Sequence, residues 1–170
     1  LVRGVGEATY GEYMQTRHFV RRIASALVLT FTPVAVTSAT AVAADGSLVI
    51  TGVIDGPLGG GLPKAIEVYA QTDIADLSAF GLGSANNGGG TDGEEFAFPN
   101  VSVSAGTYLY VASESAGFTS FFGFAPQYTS SSASINGDDA IELFEDGVVV
   151  DLFGEIDVAG TGQAWDYADC

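Results

Sequence analysis

Residues 134–157, SINGDDAIELFEDGVVVDLFGEID, carry eight acidic residues, of which Asp138, Asp139, Glu142 and Asp151 form the candidate constellation. Carboxylates beside Asn136 and Gly137 offer the hard oxygen donors that calcium takes, so these four are the calcium candidates. The alternative is structural: Asp138 and Asp139 shape their loop by accepting backbone N–H bonds, and the strand acids face water. Paired acids also raise glycoside hydrolysis, which needs two carboxyl groups about 5–10 Å apart across a cleft. Other hydrolytic chemistry lacks its parts. The single His, His18, and the single Cys, Cys170, lie near opposite ends of the chain. From Asp45 onward no Ser-His-Asp, Cys-His or Cys/His metal constellation can be assembled, and no disulfide can form within the chain. No catalytic residue is assigned.

These acids are positioned by a hairpin. Asp146-Gly147 between alternating runs is the strongest short-range turn signal, because Gly takes positive φ without steric cost. A regular two-residue turn sets Glu145 opposite Val148, Leu143 opposite Val150, Glu142 opposite Asp151 and Ile141 opposite Leu152. Ile141, Leu143, Val150 and Leu152 then form the buried stripe. Glu142 against Asp151 is an unfavourable like-charge pair that a bound cation would relieve, and it is too close for glycoside hydrolysis.

Charge is unevenly distributed. Of 21 acidic residues only Glu7 and Glu12 precede Asp45, leaving 19 from Asp45 onward, whereas of 5 basic residues only Lys64 follows. Such a surface repels nucleic acid and anionic lipid and attracts cations. Lys64 is expected to pair with a carboxylate.

The N-terminal part reads differently. Met14 opens a basic stretch, MQTRHFVRR, followed by an uncharged run rich in Ala, Val and Thr that ends in Ala41-Val42-Ala43. Basic region, apolar region and small-x-small site describe a helical secretory signal peptide over 14–44. Residues 1–13 precede this start and read as upstream sequence outside the fold. The expected localisation is extracellular or periplasmic, with no membrane association after signal removal.

Residues 45–170 read as one all-β domain. Strands are expected at 47–55 (with a bulge at Gly52), 64–71 (Ile66 and Val68 inward), 79–83 (Phe80 and Leu82 inward), 96–98 and 106–113 (Leu109 and Val111 on one face). A glycine-rich loop is expected at 56–63 and a solvated polar loop, calcium-like in composition, at 84–95. Phe118, Phe121 and Phe122, at helical spacing, predict one short helix with a core-facing aromatic stripe. The serine tract at 130–134 reads as flexible, and 163–169 as another aromatic element that stops short, as in a truncated chain. Short strands about ten residues apart without βαβ alternation indicate a β-sandwich.

Several segments resemble the lamin tail domain in its bacterial secreted branch: LVITGVIDG (48–56), KAIEVYA (64–70), DLSAFGLG (76–83), FAFPNVSVSAGTYLYVAS (96–113), FTSFFG (118–123) and INGDDAIELFEDGVVVDLFGEI (135–156). NGDDAIEL followed by GVVVDLFG is the most specific part. Residues 160–169 are similar to the stretch that leads into the family's last strand, with Cys170 where relatives tend to have Gly. The resemblance implies an immunoglobulin-like sandwich and a non-catalytic accessory module of a secreted bacterial protein, which binds a protein, a glycan or a surface. The alternative it implies is a structural or targeting domain fused to an extracellular nuclease or phosphatase whose catalytic domain lies outside this chain. The partner is then another domain of the same protein, or an extracellular protein or glycan. No cofactor beyond the calcium candidate is implied.

Overall fold

The computed structural model describes residues 46–168. The expected signal peptide at 14–44 and the upstream segment 1–13 lie outside the described residues, as do Asp45, Asp169 and Cys170. The described chain is an all-β sandwich. One sheet has the order β1 (Leu48–Leu58), β2 (Leu62–Ala70), β5 (Tyr108–Ala112), β6 (Tyr128–Thr129); the other has β4 (Phe96–Ala97), β3 (Phe80–Ala85), β7 (Ala140–Glu145), β8 (Val148–Phe153). All neighbours are antiparallel except β5 and β6. One short helix, α1 (Ser115–Phe122), follows β5.

The core lies between the sheets and is built from alternate residues of each strand. Leu48, Ile66, Val68, Leu109 and Val111 of the first sheet meet Phe80, Leu82, Ile141 and Leu143 of the second. Ile66, Val68, Phe80 and Leu82 are thus inward as expected. The Asp146-Gly147 turn also forms, with φ of 49° and 76°, the positive pair that matches strand twist in a two-residue hairpin.

Beyond that turn the register departs from the regular hairpin. Phe144 faces Val149, but Leu143 faces Asp151 and Glu142 faces Leu152, because Val150 is an extra, bulged residue. The expected Glu142–Asp151 opposition therefore does not occur. Leu152 is turned outward and exposed, and Phe153, opposite Ile141, packs on the core in its stead. The cause lies across the sandwich. β1 carries its own bulge, with the extra residue Thr51 between the Ile50–Val68 and Gly52–Glu67 pairs, as Gly52 predicted. The Ile50 N–H donates to Asp151 Oδ2 at 2.8 Å. Two edge strands from different sheets are stitched by this bond, and the β8 bulge is what aims Asp151 at it.

Other departures are local. Residues 56–58, expected in a loop, continue β1, and the connection to β2 is only a short turn around Gly59–Gly61. The serine tract forms a 3₁₀ turn, Ser131–Ala133, capped by the Ser130 side chain, with Ala133 buried. The eighth strand is β6, which the sequence did not signal. Residues 163–168 form turns, not a strand, and bring Tyr167 into the core.

Replacing Asp151 with Ala leaves the Ile50 N–H without its acceptor. Urea unfolding is expected to show a loss of about 1–2 kcal/mol; an unchanged midpoint would show that the seam between β1 and β8 does not depend on this bond.

Candidate functional site

The acidic residues singled out above are distributed over separate structural duties. Asp139 is fully buried; its Oδ2 accepts from Asn136 N at 2.8 Å and its Oδ1 from Asn87 N at 3.0 Å. Asp138 accepts from the Thr161 hydroxyl at 2.6 Å. Glu142 does not face water: it is 1% exposed and accepts from the Thr91 hydroxyl at 2.7 Å. Asp151 holds Ile50, as described. Among the described residues no three Asp, Glu, His or Cys side chains converge as a cation site would require.

Glu142 is covered by the polar loop at 84–95, whose residues beyond β3 are solvated as expected but which also lies over the outer face of the second sheet. Two glycines of β3 permit this. A Cβ on Gly83 would lie 2.1 Å from the Gly93 carbonyl oxygen, and one on Gly81 would meet Glu94 at 2.4 Å. Glu95 secures the loop's far end by accepting from Ser84 N and Oγ, both at 2.9 Å.

Lys64 is paired, as expected, with Asp55, and it also donates to the Ile135 carbonyl at 2.6 Å. Asp55 in turn accepts from Gly137 N at 3.0 Å. Tyr167 closes this knot: its hydroxyl donates to the Asp139 carbonyl at 2.9 Å. Burial first, then the Asp139, Asp55 and Asp138 carboxylates, push that phenol upward.

The outer face of the first sheet is different in kind. Register places Ile54, Ala65 and Ala112 in one row across it, Gly52, Glu67 and Tyr110 in the next, and Tyr69 with Tyr108 beyond. Ala65 and Ala112 are small, so α1 settles over them through Phe118, which is completely buried. The helix is held at its start by Glu114, which accepts from Gly117 N and Phe118 N, and it ends at Gly123 with φ of 82°. Of the predicted core stripe only Phe118 is inside. Phe121, Phe122 and Phe124 remain 43%, 38% and 43% exposed. Two helical turns laid on a sheet cover one aromatic ring, and nothing among the described residues covers the rest.

Between helix and sheet lies an apolar groove of about 350 Å³, lined by Gly52, Val53, Ile54, Ala65, Tyr110, Phe118, Phe122 and Phe124, with Glu67 as its carboxylate. Its aromatic wall is continuous: ring centroids are 4.6 Å apart for Phe118 and Phe122, and 5.2 Å for Tyr110 and Phe124. Glu67 is oriented by the Thr51 hydroxyl, which donates to its Oε1 at 2.7 Å; Thr51 is the bulged residue. The Tyr110 phenol is pushed up to about 12, by burial first and then by the Glu67 carboxylate beside it. Tyr69 and Tyr108 extend the aromatic surface, their centroids 4.7 Å apart. Trp165, by contrast, lies elsewhere, against Gly154, Gly160 and Phe153.

Sequence reasoning missed this groove. Its signal was the outward face of two neighbouring strands, Ala65–Glu67–Tyr69 and Tyr108–Tyr110–Ala112, each small at one end and aromatic at the other. Comparison with known proteins gives no further guide: no family model matches the chain, and no match was found among the curated proteins.

A titration followed by phenolate absorbance, with Tyr110→Phe as the reference, is expected to show Tyr110 ionising at about 12. The folded value lies above the unfolded one near 10, so the stability carried by the neutral phenol is complete below about pH 10 and is lost as pH rises through the folded midpoint. Glu67→Gln is expected to lower that midpoint; an unchanged value would mean that the carboxylate does not act on the ring.

Proposed function

We propose that residues 45–170 form a non-catalytic, immunoglobulin-like accessory module of the lamin tail kind, belonging to an exported bacterial protein, and that it binds another protein through the groove between α1 and the first sheet. The strand orders support the fold reading, since β4-β3-β7-β8 follows the C′–C–F–G order of an immunoglobulin sheet and β1-β2-β5 its A–B–E order. Export rests on the basic, apolar and small-x-small pattern of 14–44.

The observation that carries the binding reading is the exposure of Phe121, Phe122 and Phe124 side by side. Leu58, Val101 and Val148, also exposed, are aliphatic; a contiguous aromatic patch next to a groove marks an interaction surface. Its composition favours a protein over a glycan. Sugar recognition needs many convergent hydrogen-bonding groups, and this groove offers a carboxylate and one phenol among apolar walls. Aromatic residues around a small polar anchor are the composition of a protein-binding hot spot. The lack of any His from Asp45 onward and the engagement of Asp138, Asp139, Glu142 and Asp151 in internal hydrogen bonds support a module without chemistry of its own.

Panning a random-peptide library on the immobilised chain, beside a glycan array, tests this. Enriched peptides are expected to bind the native chain and to lose at least about tenfold in affinity for the double variant Phe122→Ser, Phe124→Ser, as truncated hot-spot residues do. The melting temperature of that variant should stay close to the native one, because both rings are already partly exposed. Failure to enrich any peptide, or glycan binding that survives the double substitution, would overturn the proposal.

A further inference from the structure

We infer that the groove takes an arginine side chain presented by an extended segment of the partner protein, with Glu67 as its counter-charge and the rings of Tyr110, Phe122 and Phe124 as its walls. This rests on reading the groove as a protein-binding surface and adds the chemistry of what enters it.

Charge selects among the ligands that an apolar groove would otherwise accept. Glu67 lines the groove, and no base among the described residues reaches it. The only described base, Lys64, is committed to Asp55 and to the Ile135 carbonyl on a different part of the fold. A purely apolar ligand seated here would strip water from the Glu67 carboxylate and return nothing for it. An anionic one would be repelled by Glu67 and by the field of the surrounding acids. A cation offsets the desolvation.

Shape narrows the choice further. Gly52 and Ala65 flank Glu67 on the sheet and leave the space above it open, while the aromatic rings stand beside it. A guanidinium lies flat on such rings and meets a carboxylate with paired N–H donors, which a compact ammonium does not do as well. The Thr51 hydroxyl, bonded to Oε1, fixes the carboxylate in place, so little freedom is lost when the ligand arrives. The bulge that puts Thr51 next to Glu67 thereby acquires a role in recognition. The neighbouring exposed rings outside the groove, Phe121 and Tyr108, suit aliphatic residues beside the arginine.

The test uses the full chain and two fluorescein-labelled pentapeptides, Val-Leu-Arg-Leu-Val and the same sequence with citrulline in place of arginine, which keeps the shape and removes the charge. Fluorescence anisotropy is expected to give about tenfold tighter binding for the arginine peptide at low salt. In Glu67→Gln the two peptides should bind within about twofold of each other, as they should for the native chain near 0.5 M salt, where surface charges are screened. Equal affinities for the native chain would overturn the arginine assignment while leaving a protein-binding groove. An arginine preference that persists in Glu67→Gln would overturn the role given to that carboxylate. Binding of neither peptide would count against the groove itself.

Discussion

The first sheet is fixed to the approach to β7 by a knot of four side chains, Lys64, Asp55, Asp139 and Tyr167, and the rest of the sandwich is arranged around it. Lys64 of β2 joins Asp55 of β1 and the Ile135 carbonyl, Asp55 receives Gly137 N, and Asp139 receives Asn136 N and Asn87 N. One buried carboxylate thus holds both its own loop and the turn after β3, the neighbouring strand of the same sheet. Carboxylates that accept backbone N–H bonds are stabilised in their charged form without any cation. A chain with one base after residue 44 has little other means of keeping acids inside.

The same device recurs at several other turns. Asp73 receives Ala105 N, Asp76 receives Ser78 N, Glu95 receives Ser84 N, and Glu114 receives the first free N–H groups of α1. Asp166 is held below the ordinary carboxylate range by the N–H groups of Gly162 and Ala168. Much of the chain's acidity is therefore structural, used to close loops and bulges. Asp138, Glu142 and Glu67 accept from hydroxyls instead, and of these Glu67 lines the groove. The division of labour between the two outer faces follows. The second sheet is roofed over β3 by the 84–95 loop, at Gly81 and Gly83, and leaves Val149 and Leu152 of β8 exposed, whereas the first is only half roofed by α1 and keeps an aromatic surface open.

How much of this was readable in advance depends on the range of the interaction involved. Turn chemistry is local, so Asp146-Gly147 and the bulge at Gly52 were legible, and strand alternation identified Ile66, Val68, Phe80 and Leu82 as core. The bulge at Val150 was not, because three consecutive valines carry no local mark of which one is extra; a distant N–H on β1 decides it. The Phe118–Phe122 periodicity announced a helix correctly but not how much of its stripe the sheet would cover. The 84–95 loop read as solvated, and its residues beyond β3 are, but not as lying over the sheet. Its packing depends on Gly81 and Gly83, whose meaning appears only when the surface above them is known. The groove itself needs three strands in register before Gly52, Ala65, Glu67 and Tyr110 become neighbours.

If buried acids are structural and recognition belongs to the opposite sheet, Asp139→Asn should separate the two. An amide can accept only one of the two N–H bonds and turns a donor toward the other. Urea unfolding is then expected to show a loss of about 2–4 kcal/mol. A loss below about 0.5 kcal/mol, within the range of an ordinary surface substitution, would contradict the account, because the knot would then not depend on the carboxylate at its centre.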